Sequence, residues 1–188
     1  MIKTEDGTAT FLKENTRDEH DAVENHMGAN TIFSGFFSKE KYIKLLKKLF
    51  VAHLSLEQEV LKSESIQKTL ELNPEMRLSK SILIKNDLKM LHASAEAQLI
   101  DILLQNEAEA WGAYYVLEGS SLGGAVILKQ LKKLEWAKDI DAFSFYGCYG
   151  SQTGPNWKLF LNVLESKDLN REGLLTGARK AYGVFLDT

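Results

Sequence analysis

Apolar residues recur at helical spacing along most of the chain. Leu12, Thr16, His20, Val23 and Met27 fall on one stripe at roughly 100° per residue, which predicts a helix over about Thr10 to Met27. Gly28 is a natural residue to end it. After the bulky connector Phe33 to Phe37, Ser38 can cap a second helix running to about Ser63. Its core face is Tyr42, Leu45, Leu46, Leu49, His53, Leu56 and Val60. A short helical piece is expected before Asn73-Pro74, then helices over Leu78 to Leu91 and from near Ser94 through Ala97 to Leu104. A long helical segment starts near Asn106 and reaches Leu134. Ala142 to Gly154 reads as loop, Gly154-Pro155 as the start of a helix, and Arg171 to Leu186 as the last helix.

No run of four or more residues reads as a strand. The class expected is all-α: a single compact domain over residues 1–188, with residues 1–8 as a loose tail and about seven helices packed on one another.

The long segment breaks its own rule in the middle. Gly119, Gly123 and Gly124 each cost roughly 1 kcal/mol against alanine inside a helix. On the helical wheel Gly112, Gly119 and Gly123 lie within about 40° of one another, bordered by Val116 and Ser120. A face so bare suits close helix packing through small residues, or a flat ligand laid against the backbone. A phosphate loop is a weaker option, because the stretch lacks the Lys-Ser/Thr ending of such loops and follows no strand.

Composition narrows the classes. A net charge of −3 argues against a nucleic-acid binder. The lone Cys148 excludes an internal disulfide framework and fits a reducing cytosol. The first residues lack the apolar core of a signal peptide, and no apolar run is long enough to span a bilayer. The expectation is a cytoplasmic protein without membrane or nucleic-acid partners.

Candidate chemistry rests on four histidines. No two are spaced i, i+4, and no Glu-x-x-His occurs, which removes the zincin and di-iron helix motifs. His20 has Glu24 one turn on, with Lys13 about 20° and Arg17 about 60° away around an unbroken helix. An imidazole held by a carboxylate is a more basic metal ligand, and cations beside it suit an anionic ligand. From this helix alone the plainer account is a core-edge histidine with a solvated charged flank. His26 sits where the helix frays and is explained by the helix dipole. His53 reads as core, and His92 as exposed near a helix end. Cys148 has no nucleophile signature around it.

Three stretches together resemble the heme oxygenase family. Leu12-Lys-Glu-Asn-Thr-Arg-Asp-Glu-His20-Asp-Ala-Val-Glu24-Asn25 is similar to its proximal helix. Tyr115-Val-Leu-Glu-Gly119-Ser-Ser-Leu-Gly123-Gly124 looks like its kinked distal helix, in wording closest to the bacterial, phytochrome-associated branch that supplies biliverdin. Tyr146-Gly147 followed by Gly154-Pro-Asn-Trp-Lys158-Leu-Phe160 is similar to the penultimate helix of that branch. The resemblance runs over about residues 10–186, in the same order.

The resemblance implies heme b as both cofactor and substrate, cleaved with O2 to biliverdin, carbon monoxide and iron. Electrons would come from an external donor, a ferredoxin- or flavoprotein-type reductase. It implies His20 as the axial iron ligand and Glu24 as the partner of His20. Lys13, Arg17, Tyr114 and Lys158 would meet the propionates, and Gly119, Ser120 and Gly123 would form the distal face. Animal members have an aspartate at the position of Ser120; serine is frequent there in the bacterial branch. The distal water would then be ordered by Ser120, Ser121 or backbone groups. A non-catalytic heme carrier on the same fold is the alternative function. Cleavage regiochemistry and oligomeric state are not fixed by the residues.

Overall fold

A computed structural model describes residues 7–76, 78–96 and 98–188, with only the backbone of Ala29. Nine α-helices occur among the described residues, and no strand: α1 (Thr8–Asn15), α2 (Arg17–Met27), α3 (Lys39–Val60), α4 (Glu64–Leu72), α5 (Lys80–Met90), α6 (Glu107–Gly119), α7 (Gly124–Leu131), α8 (Thr153–Glu165) and α9 (Arg171–Leu186). Residues 1–6 of the expected tail lie outside the described residues, and α1 already begins at Thr8.

The all-α expectation holds, and several boundaries follow from local chemistry. Gly28 ends α2 in the left-handed conformation at φ 65°, which a residue without Cβ adopts at little cost. The Ser38 hydroxyl accepts from the Lys41 N–H to cap α3, Ser63 caps α4 through Ile66, and Asn170 caps α9 through Gly173. The predicted α3 stripe is buried at every position from Tyr42 to Val60.

α6 is the centre of the core. Every residue from Ala108 to Glu118 is buried, as an all-round apolar helix requires. α9 runs along one side of it, with α3 and α8 on others. The α6–α9 approach is close because glycines face backbone. A Cβ at Gly112 would stand 1.9 Å from the Leu174 carbonyl oxygen, and one at Gly177 would stand 1.9 Å from the Glu109 carbonyl oxygen. Gly112 is therefore a packing residue of the α6–α9 contact. It does not share a bare ligand-facing strip with Gly119 and Gly123, as the wheel suggested.

Two expected helices differ. The helix over Thr10 to Met27 is broken at Thr16, whose backbone leaves the helical region (φ −124°, ψ 16°). The Thr16 hydroxyl donates to the Leu12 carbonyl at 2.8 Å, a local bond that competes with helical continuation. The helix expected to Leu104 is absent: residues 98–105 are non-helical. Their N–H groups are satisfied from other elements, Ile100 by the Ser55 hydroxyl at 3.0 Å and Leu104 by Glu59 Oε1 at 3.2 Å. Ile100, Ile102 and Leu104 turn inward while Asp101, Leu103 and Gln105 face out. This period of two was present in the sequence beside the helical reading.

Candidate functional site

One side of the candidate site is α2. Its sequence is poor in apolar residues, and none of its residues is buried. His20 is 54% exposed rather than set into the core edge. Two carboxylates flank its ring: Asp21 Oδ1 lies 3.6 Å from Nδ1 and Glu24 Oε1 lies 3.8 Å from Nε2. These are ion-pair distances, longer than hydrogen bonds. Among the described residues, these three side chains form the group whose ligand atoms lie within 4.8 Å of one another. Arg17 opens α2, where a cation opposes the helix dipole, and Asp18 and Glu19 offset it in the same turn. Lys13 sits in the last turn of α1. The break at Thr16 removes the continuous wheel that placed Lys13 beside His20. Both cations are exposed on the same stretch of chain.

The other side is the α6–α7 turn. Gly119 closes α6 and Gly124 opens α7. The glycines here divide into two kinds. A Cβ at Gly124 would meet the Tyr146 carbonyl oxygen at 2.7 Å, so Gly124 is needed for packing. A Cβ at Gly119 would meet only the tip of the Trp157 ring, at 3.7 Å, and one at Gly123 only Ile127 Cδ1, at 4.0 Å. Packing among the described residues does not explain Gly119 or Gly123.

Aromatic side chains join the two sides. The Tyr182 ring meets His20 edge-on, 6.3 Å between centroids, and its phenol faces the Thr16 hydroxyl. Tyr182 in turn neighbours Tyr115. Tyr115 packs on Trp157 at 5.5 Å, and Trp157 lies at Gly119. Burial raises the phenol of Tyr182, and burial with the Tyr182 neighbour pushes that of Tyr115 up to about 12. Both are therefore neutral hydrogen-bond donors at neutral pH. Arg179, on the same helix as Tyr182, holds α9 against the α1–α2 junction, donating to Glu19 Oε1 at 2.8 Å and the Asn15 carbonyl at 3.2 Å.

An accessible imidazole, two neutral phenols, a glycine turn and exposed cations are chemically suited to an anionic ligand with an iron centre. The family model for heme oxygenase matches residues 6–188. The chain belongs to the heme oxygenase family. It is 29% identical over 105 residues to a heme oxygenase of Xanthomonas campestris, a match over 54% of this chain and 62% of that relative's length. Its fold is similar to the NO- and CO-bound heme oxygenase from Neisseria meningitidis, with a TM-score of 0.73 and 26% identity over 95% of this chain and 88% of that one. The heme oxygenase fold assignment thus stands on the sequence and the structure together.

Of the other residues singled out from the sequence, Tyr114 is withdrawn from the surface that His20 shares. Tyr114 is fully buried between Trp111 and Phe160, and among the described residues its hydroxyl has no hydrogen-bond partner. The tyrosine that faces Tyr182 and Trp157 is Tyr115, one residue on. Lys158 is exposed beside Trp157 on α8. Ser120 and Ser121 both commit their hydroxyl protons to the helix end, donating to the Leu117 carbonyl at 2.7 Å and the Glu118 carbonyl at 2.6 Å. His26 is engaged with Lys48 at 2.9 Å and the Thr188 carbonyl at 3.0 Å.

Sequence reasoning missed Tyr182, Tyr115 and Trp157 as a group. Tyr182 sits one turn from Ala178 on an apolar stripe and carries no motif of its own. Only the packing of α9 under α2 brings it to His20.

Proposed function

We propose that this protein is a biliverdin-forming heme oxygenase, with heme b as substrate and cofactor, O2 as oxidant and an external ferredoxin- or flavoprotein-type reductase as electron source. The observation that carries the reading is the pair Gly119 and Gly123. Unlike that of Gly112 and Gly124, their lack of a side chain has no packing reason. When bound, the heme supplies the oxygen-activating and self-oxidising chemistry.

The residues of the chain do the rest. His20 would ligate the iron, with Glu24 or Asp21 accepting from its second ring nitrogen. Lys13, Arg17 and Lys158 would neutralise the propionates, with the Tyr115 phenol as a neutral donor. Tyr114, the phenol implied by the resemblance, could contribute only after the core around it opened. The glycine face would press the distal backbone close while offering no acid–base side chain. Ser120 would orient water through its hydroxyl lone pairs, since its proton is committed to Leu117. The branch would be the bacterial one that supplies biliverdin to phytochromes, and the site of action the cytoplasm. Among the described residues, no helix is long and apolar enough to cross a membrane.

The committed hydroxyls of Ser120 and Ser121 favour one second reading, a heme carrier without turnover. The two separate in one cuvette. Hemin-loaded protein is mixed with ascorbate in air and the Soret band is followed. Loss of the band with extraction of biliverdin supports the enzyme. A stable spectrum with no biliverdin leaves the carrier.

A further inference from the structure

Lys80 opens α5 and is 2% exposed. A cation at the first position of a helix works against that helix's own dipole, so α5 supplies no reason for it. The reason lies across the core. The Lys80 ammonium donates to the Leu117 carbonyl at 2.6 Å and to Glu118 Oε2 at 3.2 Å, at the C-terminal end of α6. The Tyr149 ring covers it at 5.7 Å. Helix ends leave carbonyls without intrahelical partners, and a buried one must find a donor elsewhere. At Leu117 there are two donors, the Lys80 ammonium and the Ser120 hydroxyl. Glu118 is itself 1% exposed, and among the described residues its Oε1 has no hydrogen-bond partner and Lys80 is the cation paired with its Oε2. A buried ion pair is a weak source of stability, because desolvation offsets its attraction. Its position, one residue before the distal turn, gives it a different use.

We infer that Lys80 is a positioning residue of the distal turn: its ammonium pins the end of α6 through the Leu117 carbonyl and Glu118, and so fixes where Gly119 and the Ser120 hydroxyl point. The consequence for catalysis rests on the heme oxygenase reading above; the pinning itself does not. Removing Lys80 alone would strand the Glu118 carboxylate in the core, so the informative variant is Lys80→Met with Glu118→Gln, which removes both charges together. Lys80→Arg keeps the charge and the donors.

Amide hydrogen exchange of the protein without heme reads the pinning directly. In the double variant the amides of Ser120 to Gly124 are expected to exchange at least about tenfold faster, while those of α3 stay within about threefold of the parent. Lys80→Arg is expected to stay near the parent throughout. Unchanged turn amides would overturn the inference, as would turn and α3 amides rising by the same factor. Fast turn exchange in both variants would assign the effect to packing rather than charge, and would overturn it as well. With hemin bound, reduced and exposed to carbon monoxide, the CO stretching frequency should shift in the double variant and return in Lys80→Arg. An unmoved frequency would remove the catalytic consequence. Failure of the parent protein to take up hemin would defeat the proposed function, while the exchange comparison would still decide the pinning.

Discussion

Gly112 lies so close under Leu174 that a Cβ on it would stand 1.9 Å from the Leu174 carbonyl oxygen, whereas a Cβ on Gly119, two turns further along the same helix, would touch only a ring tip at 3.7 Å. The two glycines therefore answer differently to the same change. Gly112→Ala forces α6 and α9 apart and is expected to cost about 2–3 kcal/mol or more of folding stability. Gly119→Ala should change stability by no more than about 1 kcal/mol. Its effect should fall on hemin binding or turnover instead. Urea unfolding and hemin titration of the two variants check the pair; equal destabilisation would remove the distinction between packing and ligand-facing glycines.

His20 and His26 lie on one helix but in different surroundings. The His20 ring is flanked by carboxylates and half exposed, while His26 is tied to Lys48 and the Thr188 carbonyl. His20→Ala is expected to shift the Soret band of the hemin complex and weaken binding at least about tenfold, the lower end of what losing even a ligand's hydrogen-bonding partner costs. His26→Ala should leave the spectrum alone. A parent-like spectrum from the His20 variant would end the assignment.

Tyr114 and Tyr115 are neighbours on α6 that meet different partners: Tyr114 meets Trp111 and Phe160, and Tyr115 meets Trp157 and Tyr182. Among the described residues the buried Tyr114 hydroxyl has no hydrogen-bond partner, and burial drives its phenol well above the usual range. Removing an unsatisfied polar group can be neutral or favourable, so Tyr114→Phe should keep or raise stability by up to about 1 kcal/mol and leave hemin affinity unchanged. Tyr115→Phe should weaken hemin binding severalfold. Fluorescence titration with hemin compares them, and the opposite ranking would place the ligand-facing phenol at Tyr114.

His53 is fully buried between Phe145 and Phe185, and among the described residues neither ring nitrogen has a hydrogen-bond partner. Burial lowers its pKa, against the opposing pull of Glu57 at 3.8 Å. The folded state therefore binds the proton less readily than the unfolded one. Stability should be at its plateau above the unfolded value of about 6.5 and should fall as pH drops below it, by at most about 1.4 kcal/mol per pH unit from this group. The loss continues until the depressed folded value is reached. Unfolding free energies between about pH 5 and 7.5, compared with His53→Leu, test it. An equal slope in both proteins would assign the acid sensitivity to other groups.

Much of the helical framework could be read from local chemistry. Ser38 caps α3, and Gly28 ends α2 by adopting a backbone that other residues resist, as the sequence implied. The α3 stripe and the limits of α9 came from periodicity alone. The failures were also local in origin. Thr16 breaks a helix that its neighbours' spacing favoured, through a hydroxyl bond to Leu12. Residues 98–105 carry both a helical and a two-residue period, and the donors and acceptors that chose between them, Ser55 and Glu59, sit on α3.

An all-α chain, a glycine-interrupted helix and a histidine with a carboxylate one turn on were all legible in the residues themselves. These follow from propensity, capping and periodicity, which act over one or two turns of chain. Helix packing settled which glycines are packed and which are bare. It also settled which tyrosine meets Tyr182, and why a lysine at the start of α5 is buried. A helical wheel gives the direction of a side chain but not the element it meets. That element is set by how α6, α8 and α9 cross, and only there do Gly112 and Gly119 acquire different meanings.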